Sequence, residues 1–275
     1  MRTIHVTPFT LRAALVLAVL LAACGGDERP RLLLPDRDVD ALTGSELGRA
    51  LRHLDLEARE AHVYREVAAG NVPDWLRELK PVTVSGDVDG DQRTVTFWVA
   101  PDYLAVGSDD DFLRIPLSPG VAQRIGTLTG TSLPTTAMVD AAWEAAEVRL
   151  GPTPIPPNRL MTTVPVFEDH QRKVQRQRER AAPAPGALVA GHKKDVVQTP
   201  RLLEQPGRVA IYGWHYLTGE PIQRLYLGHT DDWVDYSHGI RLVWDTVRVD
   251  GVPVALSEAL ADARVATLLS REGPF

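Results

Sequence analysis

The sequence predicts an α+β fold, in which helices and a small antiparallel sheet come first. A glycine-punctuated, mostly antiparallel β region with a C-terminal helix follows. Apolar residues recur at helical spacing in residues 43–70, they alternate at strand spacing in residues 82–99, and from residue 187 onward short apolar runs end at glycines. A Pro-Ala-Pro-Gly segment at 183–186 lies between the two patterns. We therefore divide the chain into an N-terminal α+β part, 43–182, and a C-terminal β-rich part, 187–275.

The first predicted element is a single helix over residues 43–70. Thr43 and Glu46 have the spacing of an N-terminal capping box, and a glycine ends the helix. The opposite face carries charged residues, among them Arg59 and Glu60, and we expect it to be solvated. The apolar stripe of this helix consists of Leu47, Leu51, Leu54, Ala58, Ala61 and Val67.

A hairpin, a second strand pair and three helices are predicted next. The hairpin spans 82–99 with an acidic turn at 86–91, the second pair covers 103–106 and 112–117 with an acidic turn at 107–111, and the helices cover 120–127, 135–148 and 167–182. The acidic loop at 86–91 lacks the length and the terminal Glu of an EF-hand, so we interpret it as a hairpin turn and not as a calcium site. The acidic loop at 107–111 is interpreted as a turn as well.

The C-terminal part is predicted to contain short strands and one closing helix. The strands cover 187–190, 209–212, 222–227 and 240–249, and the helix covers 257–269. Asp250 and Gly251 supply a tight hairpin turn after the last strand.

The N-terminus is predicted to be an export signal that ends in a lipid anchor. Two arginines precede an apolar run at 13–21, which is too short to span a bilayer as a finished helix. The run ends in Leu21-Ala22-Ala23-Cys24. This sequence resembles the lipobox of bacterial lipoproteins. The resemblance implies that the signal 1–23 is removed, that Cys24 is lipidated, and that 24–42 tethers the domain.

The resemblance also implies where the protein lies in the cell envelope. Gly25 follows the lipidated cysteine, whereas in bacteria with two membranes an Asp at that position retains a lipoprotein in the inner membrane. We therefore expect a lipid-anchored membrane protein, which in such a bacterium lies in the outer membrane and faces the periplasm. Peptidoglycan or a related envelope glycan is then the expected partner.

Charge and cysteine content exclude several function classes. The formal charge is −6 in the full chain and −8 once the signal is removed, and an acidic domain is a poor partner for nucleic acid. Cys24 is the only cysteine. The mature domain therefore has no disulfide, no cysteine-ligated zinc and no cysteine nucleophile.

Histidines indicate where chemistry is expected. Four of them fall at loop or strand ends beside glycine or an acid, where catalytic and metal-binding groups concentrate: His192, His215, His229 and His238. The remaining histidines of the mature chain lie on predicted helices, and we interpret them as surface or packing residues: His53, His62 and His170.

Residues 235–241 contain the largest number of candidate groups. Asp235 is placed to orient the imidazole of His238, which would act as general base or acid, and Arg241 would hold a substrate carboxylate. The predicted catalytic set is His238, Asp235, Ser237, His215, His229 and Arg241. The residues expected to line the same cleft are His192, Lys193, Trp214 and Tyr236.

The same run carries a second resemblance. Ser-His-Gly-Ile-Arg at 237–241 is similar to the Ser-His-Gly-Cys-Ile-Arg signature of L,D-transpeptidases, which cross-link peptidoglycan. The nucleophilic cysteine of that family is missing here, so its chemistry does not carry over. A zinc site of His229, Asp235 and His238 is the alternative, since two imidazoles and a carboxylate form a common open zinc set. We commit to no cofactor.

Two functions are compatible with these features. The first is a lipid-anchored cell-envelope hydrolase acting on peptidoglycan or a related polymer. The alternative is a non-catalytic binding or scaffolding lipoprotein that offers aromatic surface at Asp74-Trp75 and Asp232-Trp233. Convergence of the four histidines in one pocket would favour the hydrolase, and their dispersal would favour the alternative.

The lipid anchor generates the first testable prediction. Cys24→Ser removes the acceptor for the acyl chains, so the variant is expected to be released as a soluble protein or to remain uncleaved. Membrane fractionation followed by intact-mass measurement checks this. A serine variant that has lost its signal and still sediments with membranes would show that another surface of the domain binds them.

Overall fold

The computed structural model describes residues 29–275, and it confirms the α+β class. The predicted export signal and Cys24 lie outside the described residues. The helices are α1 Gly44–Leu51, α2 Leu56–Ala68, α3 Asp74–Arg77, α4 Pro119–Thr129, α5 Thr136–Ala145, α6 Val164–Ala181, α7 Leu256–Ala261 and α8 Ala266–Leu269, with a 3₁₀ turn at Pro200–Leu203. No helix within residues 29–275 is both long enough and apolar enough to cross a bilayer.

The strands form two main sheets and two short pairs. In chain order they are β1 Lys80–Val88, β2 Asp91–Val99, β3 Ala105–Gly107, β4 Phe112–Arg114, β5 Thr131–Ser132, β6 Val148–Arg149, β7 Val189–Ala190, β8 Lys194–Val196, β9 Ile211–His215, β10 Pro221–Tyr226, β11 His238–Gly239, β12 Val243–Trp244, β13 Thr246–Val249 and β14 Val252–Ala255.

The larger sheet has the order β14-β13-β2-β12-β5, with β1 paired to β2. The predicted hairpin is confirmed, and its turn lies at Asp89 and Gly90, which both have the positive φ of a type I′ turn. The other edge of β2 pairs with β12 and with β13, where Arg248 lies opposite Thr96. Strands from before and after residues 183–186 therefore share this sheet.

Helices α5, α7 and α8 cover one face of the larger sheet. Apolar side chains of β1, β2 and β13 pack there against these helices and form one of the buried clusters of the fold. Its sheet residues include Val82, Val95, Phe97, Val99 and Val247, and its helix residues include Met138, Ala142, Leu256, Leu260 and Leu269.

The predicted single helix at 43–70 is two helices. The capping box of Thr43 and Glu46 is present at the start of α1, as predicted. The helix ends at Leu51, and a new N-terminus forms where the Asp55 carboxylate accepts the N–H of Ala58 at 2.9 Å. The prediction of one helix is wrong because a side-chain cap in the middle of the segment starts a second helix.

This break changes which face of the second helix is buried. Ala58 and Ala61 are exposed, whereas Arg59 and Glu60 are buried, which is the reverse of the prediction. The Glu60 carboxylate accepts the backbone N–H and the hydroxyl of Ser118, so it caps α4 from outside that helix. Burial of these charges therefore follows from tertiary partners that the periodicity of α2 does not reveal.

The closing helix is also divided. Asp262 follows α7, and its carboxylate accepts the N–H groups of Arg264 and Val265. These hydrogen bonds form a turn between α7 and α8, so the predicted continuous helix at 257–269 is wrong.

The smaller sheet positions the predicted site residues. Its order is β10-β9-β8-β11, with β8 antiparallel to β9 and parallel to β11. Strand β8 was not predicted, because Lys194 and Asp195 give it a polar sequence that is typical of a loop. Strand β8 is central in the sheet, and His192 and Lys193, which directly precede it, are buried.

The break between α1 and α2 generates the second prediction. Asp55→Ala removes the cap and should lower the free energy of unfolding by about 1 kcal/mol. Asp55→Asn is the matched control, because an amide oxygen caps a helix nearly as well as a carboxylate. This variant should lower the free energy of unfolding by only about a few tenths of a kcal/mol. Urea unfolding of both variants measures the difference. Equal losses in the two variants would contradict the capping role.

Candidate functional site

The four histidines of the predicted site lie in three separate environments. His192 belongs to a buried ion-pair network. His229 and His238 are neighbours, with ring centroids 6.5 Å apart. His215 lies at the wall of an open cleft. The four histidines therefore do not converge in one pocket, and this dispersal is the outcome that favours the non-catalytic binding or scaffolding alternative.

The buried network centres on Asp102 and Arg114. Arg114 Nε and Nη2 donate to the two oxygens of Asp102 at 2.9 and 2.6 Å, and both side chains are about 1% exposed. His192 Nε2 lies 3.0 Å from Asp102 Oδ1. Burial acts to raise the pKa of Asp102, but Arg114 and His192 hold it well below its ordinary value. Burial lowers the pKa of His192 to about 4, so its ring is neutral at pH 7.

Arg241 belongs to the same interior. Its Nη1 and Nη2 donate to the carbonyls of Ala100 and Val189 at 2.8 and 2.9 Å. Its Nε lies 3.6 Å from the carboxylate of Asp195, which also accepts the hydroxyl of Tyr103 at 2.8 Å. The guanidinium is therefore held by the protein itself, and the geometry does not match the predicted role of a clamp open to substrate.

Lys193 is buried beside this network. Its Nζ donates to the carbonyl of Tyr236 at 2.5 Å, and burial together with Arg114 lowers the pKa of the amine to about 7. Tyr236, Trp214 and His170 pack as an aromatic cluster with ring centroids 5.0 to 6.3 Å apart. The predicted cleft residues Lys193, Trp214 and Tyr236 therefore lie in the core of the protein.

His238 lies close to Asp235 but is not hydrogen-bonded to it. Its Nε2 is 3.9 Å from Asp235 Oδ2, and neither ring nitrogen has a partner among residues 29–275. Asp235 Oδ1 instead accepts the backbone N–H and the hydroxyl of Ser237 at 2.7 and 2.5 Å. Burial lowers the pKa of His238 to about 4 against the opposing effect of Asp235. The predicted orienting contact from Asp235 is thus absent in this geometry, and the Ser237 hydroxyl is committed to that carboxylate.

His229 is the half-buried member of the predicted set. Its ring stacks on Trp233 at 5.2 Å between centroids, and Trp233 Nε1 donates to Asp235 Oδ2 at 3.2 Å. Across residues 29–275, no group of three or more His, Cys, Asp or Glu side chains is arranged to hold a metal ion. The alternative zinc set of His229, Asp235 and His238 is therefore not assembled within the described chain.

A cleft of about 570 Å³ opens at His215, beside α5 and the loop after β9. His215 Nε2 lies 2.7 Å from Asp140 Oδ1, and in the tautomer that donates this hydrogen the lone pair is on Nδ1. Nδ1 makes no hydrogen bond to the described residues. The Asp140 carboxylate also accepts the Tyr212 hydroxyl at 2.9 and 3.0 Å and pairs with Arg271 at 2.5 Å. Asp140 and His215 therefore form an oriented acid–imidazole dyad that lines the cleft, although the His215 side chain is only 3% exposed.

The backbone of β9 turns His215 toward this cleft. Gly213 and Trp214 both have positive φ, 99° and 58°, inside a strand. Strand alternation would place Tyr212 and His215 on opposite faces, but this irregularity puts both side chains on Asp140. A left-handed conformation is unusual for a bulky tryptophan and costs on the order of 1–3 kcal/mol. Such strain concentrates at functional sites, which favours the cleft as a site of function.

Asp140 and Arg271 were not found by the sequence analysis. Asp140 lies on α5, in the run Met-Val-Asp-Ala-Ala-Trp, where it is a lone carboxylate among apolar residues. A charge in such a run is a sign of a buried partner, and this signal was present in the sequence. Arg271 follows the last helix, and its sequence context does not indicate a buried partner.

Three comparisons with known proteins give no match. No protein-family model, curated protein or solved structure matches the chain. The functional assignment therefore depends on the geometry of the described residues.

The buried histidine His238 generates the third prediction. The unfolded chain protonates it near pH 6.5, whereas the folded ring stays neutral down to about pH 4. Because the unfolded state binds more protons in this window, stability rises with pH from about 4 to 6.5. His192 acts in the same direction, and Asp195 acts in the opposite one, because burial raises its pKa to about 6.

In the variant His238→Gln, the slope of unfolding free energy against pH should fall by up to about 1.4 kcal/mol per pH unit between pH 4.5 and 6. Urea unfolding at a series of pH values measures it. Between pH 7 and 9 the variant and the wild type should run parallel, which is the internal control. Unchanged slopes below pH 6 would mean that folded His238 is protonated normally.

Proposed function

We propose that the protein is a lipid-anchored cell-envelope hydrolase and that the Asp140–His215 dyad in the cleft is its acid–base group. The observation that carries this proposal is an imidazole held at 2.7 Å by a carboxylate in the wall of an open cleft, with no hydrogen bond from its other nitrogen to residues 29–275. The envelope location rests on the export signal and the lipobox resemblance. Peptidoglycan or a related envelope polymer is the proposed substrate, since it is the polymer that such an anchor faces.

The residues of the cleft have complementary roles in this proposal. Nδ1 of His215 takes a proton from a water molecule, and Asp140 stabilises the imidazolium that forms. Tyr212 and Arg271 hold the Asp140 carboxylate in place. Arg224 also lines the cleft and supplies positive charge for an oxygen that becomes negative during attack.

Other groups of the cleft suit a hydroxyl-rich substrate. Glu144, Thr218 and Glu220 add carboxylate and hydroxyl oxygens along its wall. Such groups form hydrogen bonds with the hydroxyls and amides of a glycan or a peptide. The polar lining is therefore consistent with an envelope polymer.

A binding lipoprotein without turnover is the second candidate. It is favoured by the burial of nine of the ten predicted site residues, which leaves only His229 partly exposed. In that case the polar interior stabilises the fold, and exposed aromatic side chains such as Tyr226 and Trp233 supply the contact surface. Both candidates keep the lipid anchor.

Replacement of His215 generates the fourth prediction. His215→Gln removes the base and should lower the release of fragments from purified peptidoglycan sacculi by at least about 100-fold. Asp140→Asn should also lower it, because the amide favours the wrong tautomer of the ring. The control is His53→Gln, an exposed histidine between α1 and α2, which should retain wild-type activity. The melting temperature of each variant shows whether it folds.

Two outcomes would overturn the hydrolase. One is activity in folded His215→Gln equal to that of the wild type. The other is wild-type protein that sediments with sacculi but releases no fragments, which is the result expected of the binding lipoprotein.

A further inference from the structure

A second pocket, of about 470 Å³, lies at the start of α6 and is separate from the cleft at His215. Segments from four parts of the chain meet there: the α1–α2 connection, α2, the start of α6, and the loop before β11. Its polar and aromatic lining includes Arg52, Arg59, Thr162, Thr163, Asp232 and Trp233. We refer to it as the α6 pocket.

Arg59 is a buried cation in the wall of the α6 pocket. It is only 6% exposed, its Nη1 donates to the carbonyl of Thr162 at 3.0 Å, and its Nε has no partner among the described residues. The adjacent Glu60 forms no salt bridge with it, because that carboxylate is hydrogen-bonded to Ser118, although its negative charge still partly offsets that of Arg59. Burial lowers the pKa of Arg59, as expected for a guanidinium that has lost water.

A buried cation without a salt bridge is destabilising. An arginine has five N–H donors, and burial without direct partners leaves these donors unsatisfied unless an anion approaches them. Within residues 29–275, Arg59 forms one side-chain hydrogen bond and no salt bridge. Its guanidinium lies over the Phe167 ring at 5.0 Å, and its Nε is left without an acceptor in a side chain that lines the α6 pocket.

The N-terminus of α6 adds a second positive group to the pocket. This helix has 18 residues, and its N-cap Thr163 makes no side-chain cap. The Thr163 hydroxyl instead donates to the carbonyl of Leu160 at 2.7 Å. Pro165 has no N–H, and the N–H groups of Val166 and Phe167 donate to the carbonyl of Thr163, so Val164 is the first-turn residue whose N–H is left for a ligand. The partial positive charge of the helix end favours an anion there, beside Arg59 in the pocket lining.

Trp233 provides an apolar face at the mouth of the pocket. Its side chain is 36% exposed, yet the ring is fixed by stacking on His229 and by the hydrogen bond from Nε1 to Asp235. Asp232 lies beside it and accepts the hydroxyl of Thr230 at 2.5 Å. A rigid indole next to a carboxylate acceptor suits a ring that bears hydroxyl groups, such as a sugar.

We propose that the α6 pocket binds a sugar that carries an oxyanion, with the oxyanion between Arg59 and the N-terminus of α6 and the sugar ring on Trp233. A carboxylate and a phosphate share the chemistry that Arg59 recognises, so the experiment includes both. The Asp232 carboxylate accepts hydrogen bonds from ring hydroxyls. This site is independent of hydrolysis at His215, because it shares no lining residue with that cleft.

Three probes that share one sugar ring test the site, which is the fifth prediction. Isothermal titration of the full chain in detergent compares N-acetylglucosamine, N-acetylmuramic acid and N-acetylglucosamine 1-phosphate. The first has no anion, the second has a carboxylate and the third has a phosphate. At least one of the anionic sugars should bind ten-fold or more tightly than N-acetylglucosamine, and added salt should weaken only the anionic ones.

Arg59→Gln should weaken binding of the anionic sugar at least ten-fold and leave N-acetylglucosamine unchanged. Arg65→Gln is the matched control, since it removes the same charge from an exposed position of the same helix and should leave binding unchanged. If Arg59→Gln does not fold, Trp233→Leu is the second test. Loss of the indole ring should weaken the binding of every sugar that binds by several-fold.

Three results would overturn the proposal. The first is that neither anionic sugar binds more tightly than the neutral one. The second is that folded Arg59→Gln binds as the wild type does, and the third is that Trp233→Leu has no effect on any probe. None of these results bears on hydrolysis at His215, which is measured by fragment release.

Discussion

The interior of this protein depends on the ion pair between Asp102 and Arg114. Both side chains are buried. Removal of either partner would leave an unpaired buried charge and destabilise the fold by about 3–5 kcal/mol. His192, which lies just before β8, contacts Asp102 and so links the ion pair to this strand. Through β8 it sets the positions of β9 and β11, which carry His215 and His238. The placement of the candidate site therefore follows from a pair formed elsewhere in the sequence.

Position beside a cleft, and not exposure, separates the functional candidate from the structural histidines, because all three side chains are buried. His192 and His238 are enclosed and neutral at pH 7, because burial disfavours their charged forms. His215 has similar neighbours, a carboxylate and an aromatic ring, and it is also buried, but it lines the wall of an open cleft. Histidines of one sheet thus differ in role: His192 and His238 are structural, whereas His215 lines a cleft. The backbone irregularity at Gly213 directs the His215 side chain to that cleft.

Local chemistry was predictable from the sequence, and tertiary pairing was not. The capping box at Thr43 and the turn at Asp89 depend on residues only a few positions apart. The local sequence therefore contains all the residues that form them. Burial of Arg59 depends on partners that are distant in the chain, and no periodicity reports them. His215 was predicted as a site residue from its glycine and strand context, whereas its partner Asp140 is brought to it only by the packing of α5 on β9.

The pairing of β2 has a consequence for how the chain reaches its fold. Strand β1 pairs with one edge of β2 as soon as the hairpin closes, but the other edge receives β12 and β13 only when nearly the whole chain is present. Contacts between such distant segments form slowly, because a long loop must close first. Until then β2 offers a row of unsatisfied N–H and C=O groups to any neighbouring chain. A chain shortened at its C-terminus keeps that edge open permanently, so the final strands protect the molecule against self-association as well as completing its sheet.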